Sequence, residues 1–234
     1  MVNVAIDPGA RLSRAEIAAV LAQHMEPGWI VNLGIGIPTL AANYLDPEAG
    51  IILTSENGVV GYGPQAAEGE EDVDVVNASV EYTTLQPGAA IMHHADSFAL
   101  IRKGLVDCVA LGAYEVAMDG SFANWRTQEG PYDGLGGIGG AMDLAACAGQ
   151  VMLAMAHTTR DGEPRLIERC VLPITAPQVV TRVFTDLAVV AIQDGRFVLE
   201  QHAPLVSVEE IASVTGAPLD VSDDLRPMAP GLAS

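Results

Sequence analysis

The sequence predicts an α/β fold, a single domain in which a largely parallel sheet is flanked by helices. Three observations predict it. Apolar runs of strand length recur along the chain, at 29–33, 51–53, 73–76, 106–111, 151–156, 187–192 and 196–199. Helical patterns lie between several of them, and strands alternating with helices favour parallel pairing. Half of the 234 residues are hydrophobic, enough to bury a substantial core.

The first helix is expected over 13–25. Ser13-Arg14-Ala15-Glu16 has the pattern of a capping box, and Ile17, Val20, Leu21 and His24 follow on one stripe. Pro27-Gly28 stops it, and Trp29-Ile30-Val31-Asn32-Leu33 reads as a strand. Gly34-Ile35-Gly36-Ile37-Pro38-Thr39 then forms a glycine turn, with Pro38 placed to open the next helix. Further helices are expected over 96–103, with Asp96 as N-cap, and over 142–149 and 207–213. Residues 65–74 read as an acidic surface loop. Residues 216–234, rich in Pro, Gly, Ser and Asp, read as an extended C-terminal tail on a domain covering 1–215.

Thirty acidic residues stand against 11 basic ones, a net charge of −19. Such a surface repels phosphate backbones and argues against nucleic-acid binding. An anionic ligand would need local cationic groups or a partner chain. No apolar run approaches the roughly 20 residues of a membrane span, and the N-terminus lacks a basic stretch followed by an apolar one. A cytoplasmic protein is expected, without membrane association. Cys108, Cys147 and Cys170 are odd in number and lie in apolar stretches, as reduced core residues do.

Residues 134–140 match the dinucleotide pattern G-x-G-x-x-G. That motif must follow a strand, whereas the residues before it form a polar loop. The better reading is a glycine loop leading into a helix from Ala141, with N–H groups free to hold an anion or an oxyanion. His93-His94-Ala95-Asp96-Ser97 suggests a metal pair, but adjacent histidines point in different directions. No other cluster has metal spacing, so no metal is expected. Ser55 lacks the G-x-S-x-G elbow of a serine hydrolase.

The stretch Thr54-Ser55-Glu56-Asn57-Gly58 follows the apolar run that ends at Leu53. Ends of parallel strands are where open α/β sheets place their chemistry. Glu56 is therefore a candidate nucleophile. On the residues alone it reads equally as a strand-capping glutamate before a turn.

Several blocks in order carry a resemblance: Asn32-Leu33-Gly34-Ile35-Gly36-Ile37-Pro38-Thr39, Ser55-Glu56-Asn57-Gly58, Gly137-Ile138-Gly139-Gly140-Ala141-Met142, Leu172-Pro173-Ile174-Thr175 and Ala217-Pro218-Leu219-Asp220. They resemble the β subunit of the 3-oxoacid CoA-transferases over nearly the whole chain. His93-His94-Ala95-Asp96-Ser97-Phe98 and Ala123-Asn124-Trp125 look most like the 3-oxoadipate branch. Thr54, Tyr62, Ser79-Val80 and the Gly104-Leu105 pair depart from the family's usual residues.

The resemblance implies that Glu56 is the catalytic carboxylate. It implies that Gly139 and Gly140 supply oxyanion-binding N–H groups, and that Asn57 and Gly58 shape the turn presenting Glu56. It implies ping-pong transfer of CoA, from succinyl-CoA to 3-oxoadipate or acetoacetate, through a glutamyl-CoA thioester. No cofactor is expected, and an α subunit is the expected partner, in a heterodimer or a doubled one. Hydrolysis or ring cleavage of an acyl-CoA on the same scaffold, or a non-catalytic subunit, are the alternatives.

Overall fold

The computed structural model describes residues 6–127, 137 and 139–231. The chain opens with α1 (Arg14–Ala22), β1 (Ile30–Leu33) and the short α2 (Ile37–Leu40). A hairpin follows, β2 (Ile52–Thr54) and β3 (Val59–Gln65), then β4 (Thr83–Ile91), α3 (His94–Arg102) and β5 (Cys108–Leu111). After the small strands β6 (Glu115–Ala117) and β7 (Phe122–Ala123) come α4 (Ala141–Cys147), β8 (Gln150–Ala154) and β9 (Leu166–Ile167). The last elements are β10 (Arg182–Phe184), β11 (Ala188–Gln193), β12 (Arg196–His202), α5 (Val208–Ser213) and β13 (Leu219–Pro227).

Ten strands form one sheet in the order β13-β12-β11-β10-β8-β5-β1-β2-β3-β4, and β7-β6-β9 form a second, smaller one. The centre of the large sheet is parallel from β10 through β8, β5 and β1 to β2. Antiparallel strands extend it on both sides. This is the mixed α/β domain the alternation predicts. Numbered by their appearance in the chain, the parallel strands are arranged 2-1-3-4-5. The order therefore reverses between β1 and β5, and open α/β sheets bind ligands outside the strand ends at that switch point.

Burial on both faces explains why the central strands read as continuous apolar runs. Val31, Val109, Val151, Leu153 and Val183 are at most 1 % exposed. Helix α1 packs on α2 and over β8 and β10, while α3 packs on α4, which lies against β5. The Ser13–Glu16 capping box is present, with the Glu16 N–H donating to Ser13 Oγ and the Ser13 N–H to Glu16 Oε2.

Two expectations are corrected. Residues 73–76 are not a strand, because the Asp74 N–H donates to the Asp72 side chain and the Val75 N–H to the Asp72 carbonyl, which turns the chain there. Helix α3 starts two residues earlier than expected and its N-cap is His93, whose Nδ1 accepts from the Ala95 N–H at 3.1 Å; Asp96 lies inside the first turn. The segment read as an extended C-terminal tail is extended over Leu219–Pro227, and there it pairs in parallel with β12 as an edge strand. Among the described residues, no helix is long and apolar enough to cross a membrane. The three cysteines are free, and burial pushes the Cys108 thiol up to about 12.

Candidate active site

A cavity of about 490 Å³ opens at the carboxyl ends of β1, β5 and β8, at the switch point. It is lined at the strand ends by Leu33, the last residue of β1, and Gly34, by Gly112 and Ala113 after β5, and by Met155 and Ala156 after β8. Glu56 enters from the turn after β2, and Gly139 and Gly140 enter from the start of α4. The fold brings these three expected site residues into one cavity, although Glu56 and Gly139 are far apart in sequence.

The turn carrying Glu56 is tied on every side. The Gly58 N–H donates to the Ser55 carbonyl at 2.9 Å and the Ser55 N–H donates to the Val59 carbonyl at 2.8 Å, which closes the turn between β2 and β3. Ser55 Oγ accepts from the Ala78 N–H, and Asn57 Nδ2 donates to the Val76 carbonyl, both at 2.9 Å. The Met92 N–H donates to the Gly58 carbonyl, and Ser97 Oγ donates to the Ser55 carbonyl. Gly58 stands at φ 108, and a Cβ there would collide with the Met92 carbonyl. Only glycine fits that combination of positive φ and close approach. Asn57 and Gly58 thus shape the turn and do not line the cavity.

Gly140 lies against the Glu56 carboxylate. A Cβ on Gly140 would collide with Glu56 Oε2 and approach Phe98 Cζ to 2.6 Å. Phe98 is held between the His94 ring, with centroids 4.9 Å apart, and the Arg102 guanidinium, 5.5 Å from its centroid. Arg102 then makes a two-pronged ion pair with Asp143 in the first turn of α4, at 3.0 and 2.8 Å. Hydrogen bonding to Arg102 holds the Asp143 carboxyl below the usual carboxylate range. Helix α3 thereby fixes where α4 begins, and so how closely Gly140 approaches Glu56. Residues 134–136 and 138 of the glycine loop lie outside the described residues.

The cavity also holds side chains that the sequence does not mark as site residues: Arg14, from the capping-box stretch, Tyr114 and Arg165, together with Asn124 from the Ala123-Asn124-Trp125 block. Asn124 is already committed: its Nδ2 donates to the Gly112 carbonyl at 3.1 Å and its Oδ1 accepts from Thr175 Oγ1 at 2.7 Å. Asn32 Nδ2 similarly donates to the Thr54 carbonyl. Among the described residues, no group of three or more His, Cys, Asp or Glu stands together as a metal site would need.

A carboxylate beside glycine backbone, at a switch-point cavity, is a constellation that comparison with known proteins can test. Residues 14–213 match the family model described as Coenzyme A transferase. The chain belongs to the coenzyme A transferase family. It is 44 % identical over 210 residues to the β subunit of the 3-oxoadipate CoA-transferase of Pseudomonas putida, covering 89 % of this chain and 97 % of that one. It is 41 % identical over 203 residues to the β subunit of the probable succinyl-CoA:3-ketoacid coenzyme A transferase of Bacillus subtilis, covering 87 % and 93 %. An acyl-CoA transferase structure, YdiF from Escherichia coli O157:H7, superposes with a TM-score of 0.73 at 20 % identity. That likeness covers 96 % of this chain and 44 % of the YdiF chain, and it concerns the fold. This CoA-transferase chain is therefore an enzyme chain, and it spans nearly the full length of the β-subunit relatives. The family match runs from the first residue of α1 to the last of α5, so it takes in the whole cavity.

Proposed function

We propose that this chain is the β subunit of a CoA-transferase of the 3-oxoacid type, that Glu56 is its nucleophile, and that it works with an α subunit. One observation carries the reading: the Glu56 carboxylate, on a turn clamped from several sides, faces the switch-point cavity in direct contact with Gly140. The α subunit follows from the naming of the relatives as one subunit of a two-subunit enzyme.

A carboxylate is a weak nucleophile, but a thioester carbonyl is reactive and CoA thiolate leaves readily. Glu56 attacks the thioester carbonyl of the donor, and expulsion of CoA thiolate leaves a mixed anhydride. The thiolate then attacks the glutamyl carbonyl of that anhydride, forming a glutamyl-CoA thioester and releasing the donor as a carboxylate. The acceptor carboxylate attacks this thioester, and the same two steps in reverse deliver acyl-CoA and regenerate Glu56. Bonds of equal kind are exchanged, so the cycle draws on no ATP, metal or redox cofactor. Each tetrahedral intermediate carries an oxyanion, for which the backbone N–H groups of Gly139 and Gly140 are the proposed donors. One such donor is typically worth about 3 kcal/mol in the transition state.

The pairing of donor and acceptor follows the relatives: succinyl-CoA gives CoA to a 3-oxoacid, with 3-oxoadipate as the first acceptor to assay. The test uses the complex of this chain with its α subunit. Incubated with succinyl-CoA and reduced with borohydride, it should carry the modification on Glu56, as read by peptide mass spectrometry. Glu56→Gln should lose transfer and trapping while keeping its unfolding midpoint. Label on a cysteine or serine, or full activity in Glu56→Gln, would overturn the assignment.

A further inference from the structure

Among the described residues, two cations line the Glu56 cavity outside any ion pair, in a chain that is short of cations. All four ion pairs among the described residues use other arginines: Arg11, Arg102, Arg182 and Arg196. Arg165 and Arg14 line the cavity and take part in none of them. The Arg165 Nε is buried and has no hydrogen-bond acceptor. A buried donor left unpaired loses its hydration without recompense, and the loss is greater when it belongs to a charged group. Such a group in a native fold calls for an explanation, and a bound ligand is one.

The backbone anchors Arg165 on both sides. Its N–H donates to the His157 carbonyl at 3.1 Å, and its own carbonyl accepts from the Val116 N–H at 2.9 Å. His157 is itself fully buried between Thr185 and Thr215. The Arg165 side chain therefore leaves from a rigid point where β6 and β9 meet. Arg14 leaves from the first residue of α1, and its Nη2 lies 3.7 Å from where a Cβ on Gly36 would stand. The asparagine amides that line the cavity are spent on backbone and threonine partners. Among the side chains of the described residues, the charged groups that line the cavity are one carboxylate, Glu56, and two guanidiniums, with Tyr114 beside them.

We propose that Arg14 and Arg165 form an anion subsite that holds the distal carboxylate of a dicarboxylic acyl group while its thioester end meets Glu56. They would then be specificity-determining residues, selecting dicarboxylic over monocarboxylic 3-oxoacids. The proposal rests on the reading of this cavity as the acyl site. Guanidinium is suited to it, because its planar fork pairs with a carboxylate through two parallel hydrogen bonds. A CoA phosphate offers related chemistry. The acyl source is favoured because the unpaired Nε is buried beside the nucleophile's own cavity, which is of small-molecule size.

The experiment compares the wild-type complex with Arg165→Gln, Arg165→Lys and Arg14→Gln, each assembled with the α subunit. The readout is the ratio of kcat/KM for 3-oxoadipate to that for 3-oxohexanoate, which has the same carbon count and lacks the second carboxylate. The ratio should fall about 30-fold in Arg165→Gln, the effect of a lost charge-assisted pair. Arg165→Lys should recover part of it, and Arg14→Gln should show a smaller fall. An unchanged ratio with both substrates impaired alike would overturn the proposal. So would a rise in the Kd of CoA itself, measured by calorimetry, with the ratio unchanged, since that outcome assigns the arginines to a phosphate. Calorimetry with adipate and hexanoate separates this claim from the transfer chemistry. If the wild-type complex forms no Glu56 adduct yet binds adipate and not hexanoate, and loses that preference in Arg165→Gln, the subsite stands and the transferase reading fails. Equal binding of the two acids by wild type sinks the subsite.

Discussion

Gly140 and Glu56 are in direct contact: the space that a Cβ on Gly140 would occupy is taken by the Glu56 carboxylate. The neighbouring Gly139 differs, with φ 49 and, among the described residues, nothing within 4 Å of its added Cβ. The two glycines therefore fail in different ways. Gly140→Ala should displace the carboxylate and reduce kcat about 100-fold, because misplacing a reacting group by about an ångström costs that much. Gly139→Ala meets only backbone strain, about 1 kcal/mol at a left-handed position. Steady-state kinetics of both variants check this, with trapping at Glu56 as the second readout. Equal, mild effects in both would show that the contact has no part in catalysis.

Gly58 illustrates a requirement of the turn and not of the substrate. Its φ of 108 and the nearness of the Met92 carbonyl exclude any side chain, and the Met92 N–H to Gly58 carbonyl bond would have to yield. Gly58→Ala should destabilise the domain by about 3 kcal/mol, the sum of backbone strain and a close contact. Gly50 is the control: it also has positive φ, 66, but nothing lies within 4 Å of an added Cβ. Gly50→Ala should cost about 1 kcal/mol. Urea midpoints of the two variants measure the difference, and equal shifts would refute the role of the Met92 contact.

Much of this architecture is legible in the amino-acid order alone, for physical reasons that also explain the gaps. The strands β5, β8 and β11 are buried along most of their length, so each reads as an unbroken apolar run. Helix α1 announces its start through a capping box. Strands β3 and β4 carry no such signal. β4 is exposed along nearly its whole length, and both strands contain glycine and proline, which weaken any strand pattern. Glu56 stands out in the sequence as a candidate, with a strand-capping reading equally open, and only the resemblance carried by the ordered blocks joins it to Gly139 and Gly140. Arg14 and Arg165 do not stand out, since neither belongs to a local pattern that points to a ligand. Only the cavity that both the start of α1 and the β6–β9 corner line places them in one site.

His157, fully buried, gives the domain a pH dependence of its own. The Thr185 hydroxyl accepts from the Leu187 and Ala188 N–H groups, donates to the Ala188 carbonyl at 3.1 Å, and lies 3.0 Å from His157 Nδ1. The Thr215 hydroxyl donates to the Ile211 carbonyl and can accept from His157 Nε2–H, also at 3.0 Å. Both ring nitrogens thus lie within hydrogen-bond distance of a buried threonine hydroxyl. Burial lowers the His157 pKa to about 4; the nearby Asp186 opposes the shift, and Arg11, paired with that aspartate, adds to it. In the unfolded chain the group titrates at about 6.5, so between those values the unfolded state binds the extra proton. The stabilisation is fully present above about pH 6.5 and is lost as pH falls toward 4. By pH 5 the loss should be about 2 kcal/mol, at about 1.36 kcal/mol per unit. His157→Gln keeps a donor and an acceptor for the two threonines but cannot titrate. Urea unfolding of both proteins at pH 7 and pH 5 makes the comparison, since the acidic surface contributes equally to each. The wild type should lose about 2 kcal/mol more than the variant over that interval. Parallel losses would mean that His157 titrates alike in the folded and unfolded chain, so that its burial adds no pH dependence.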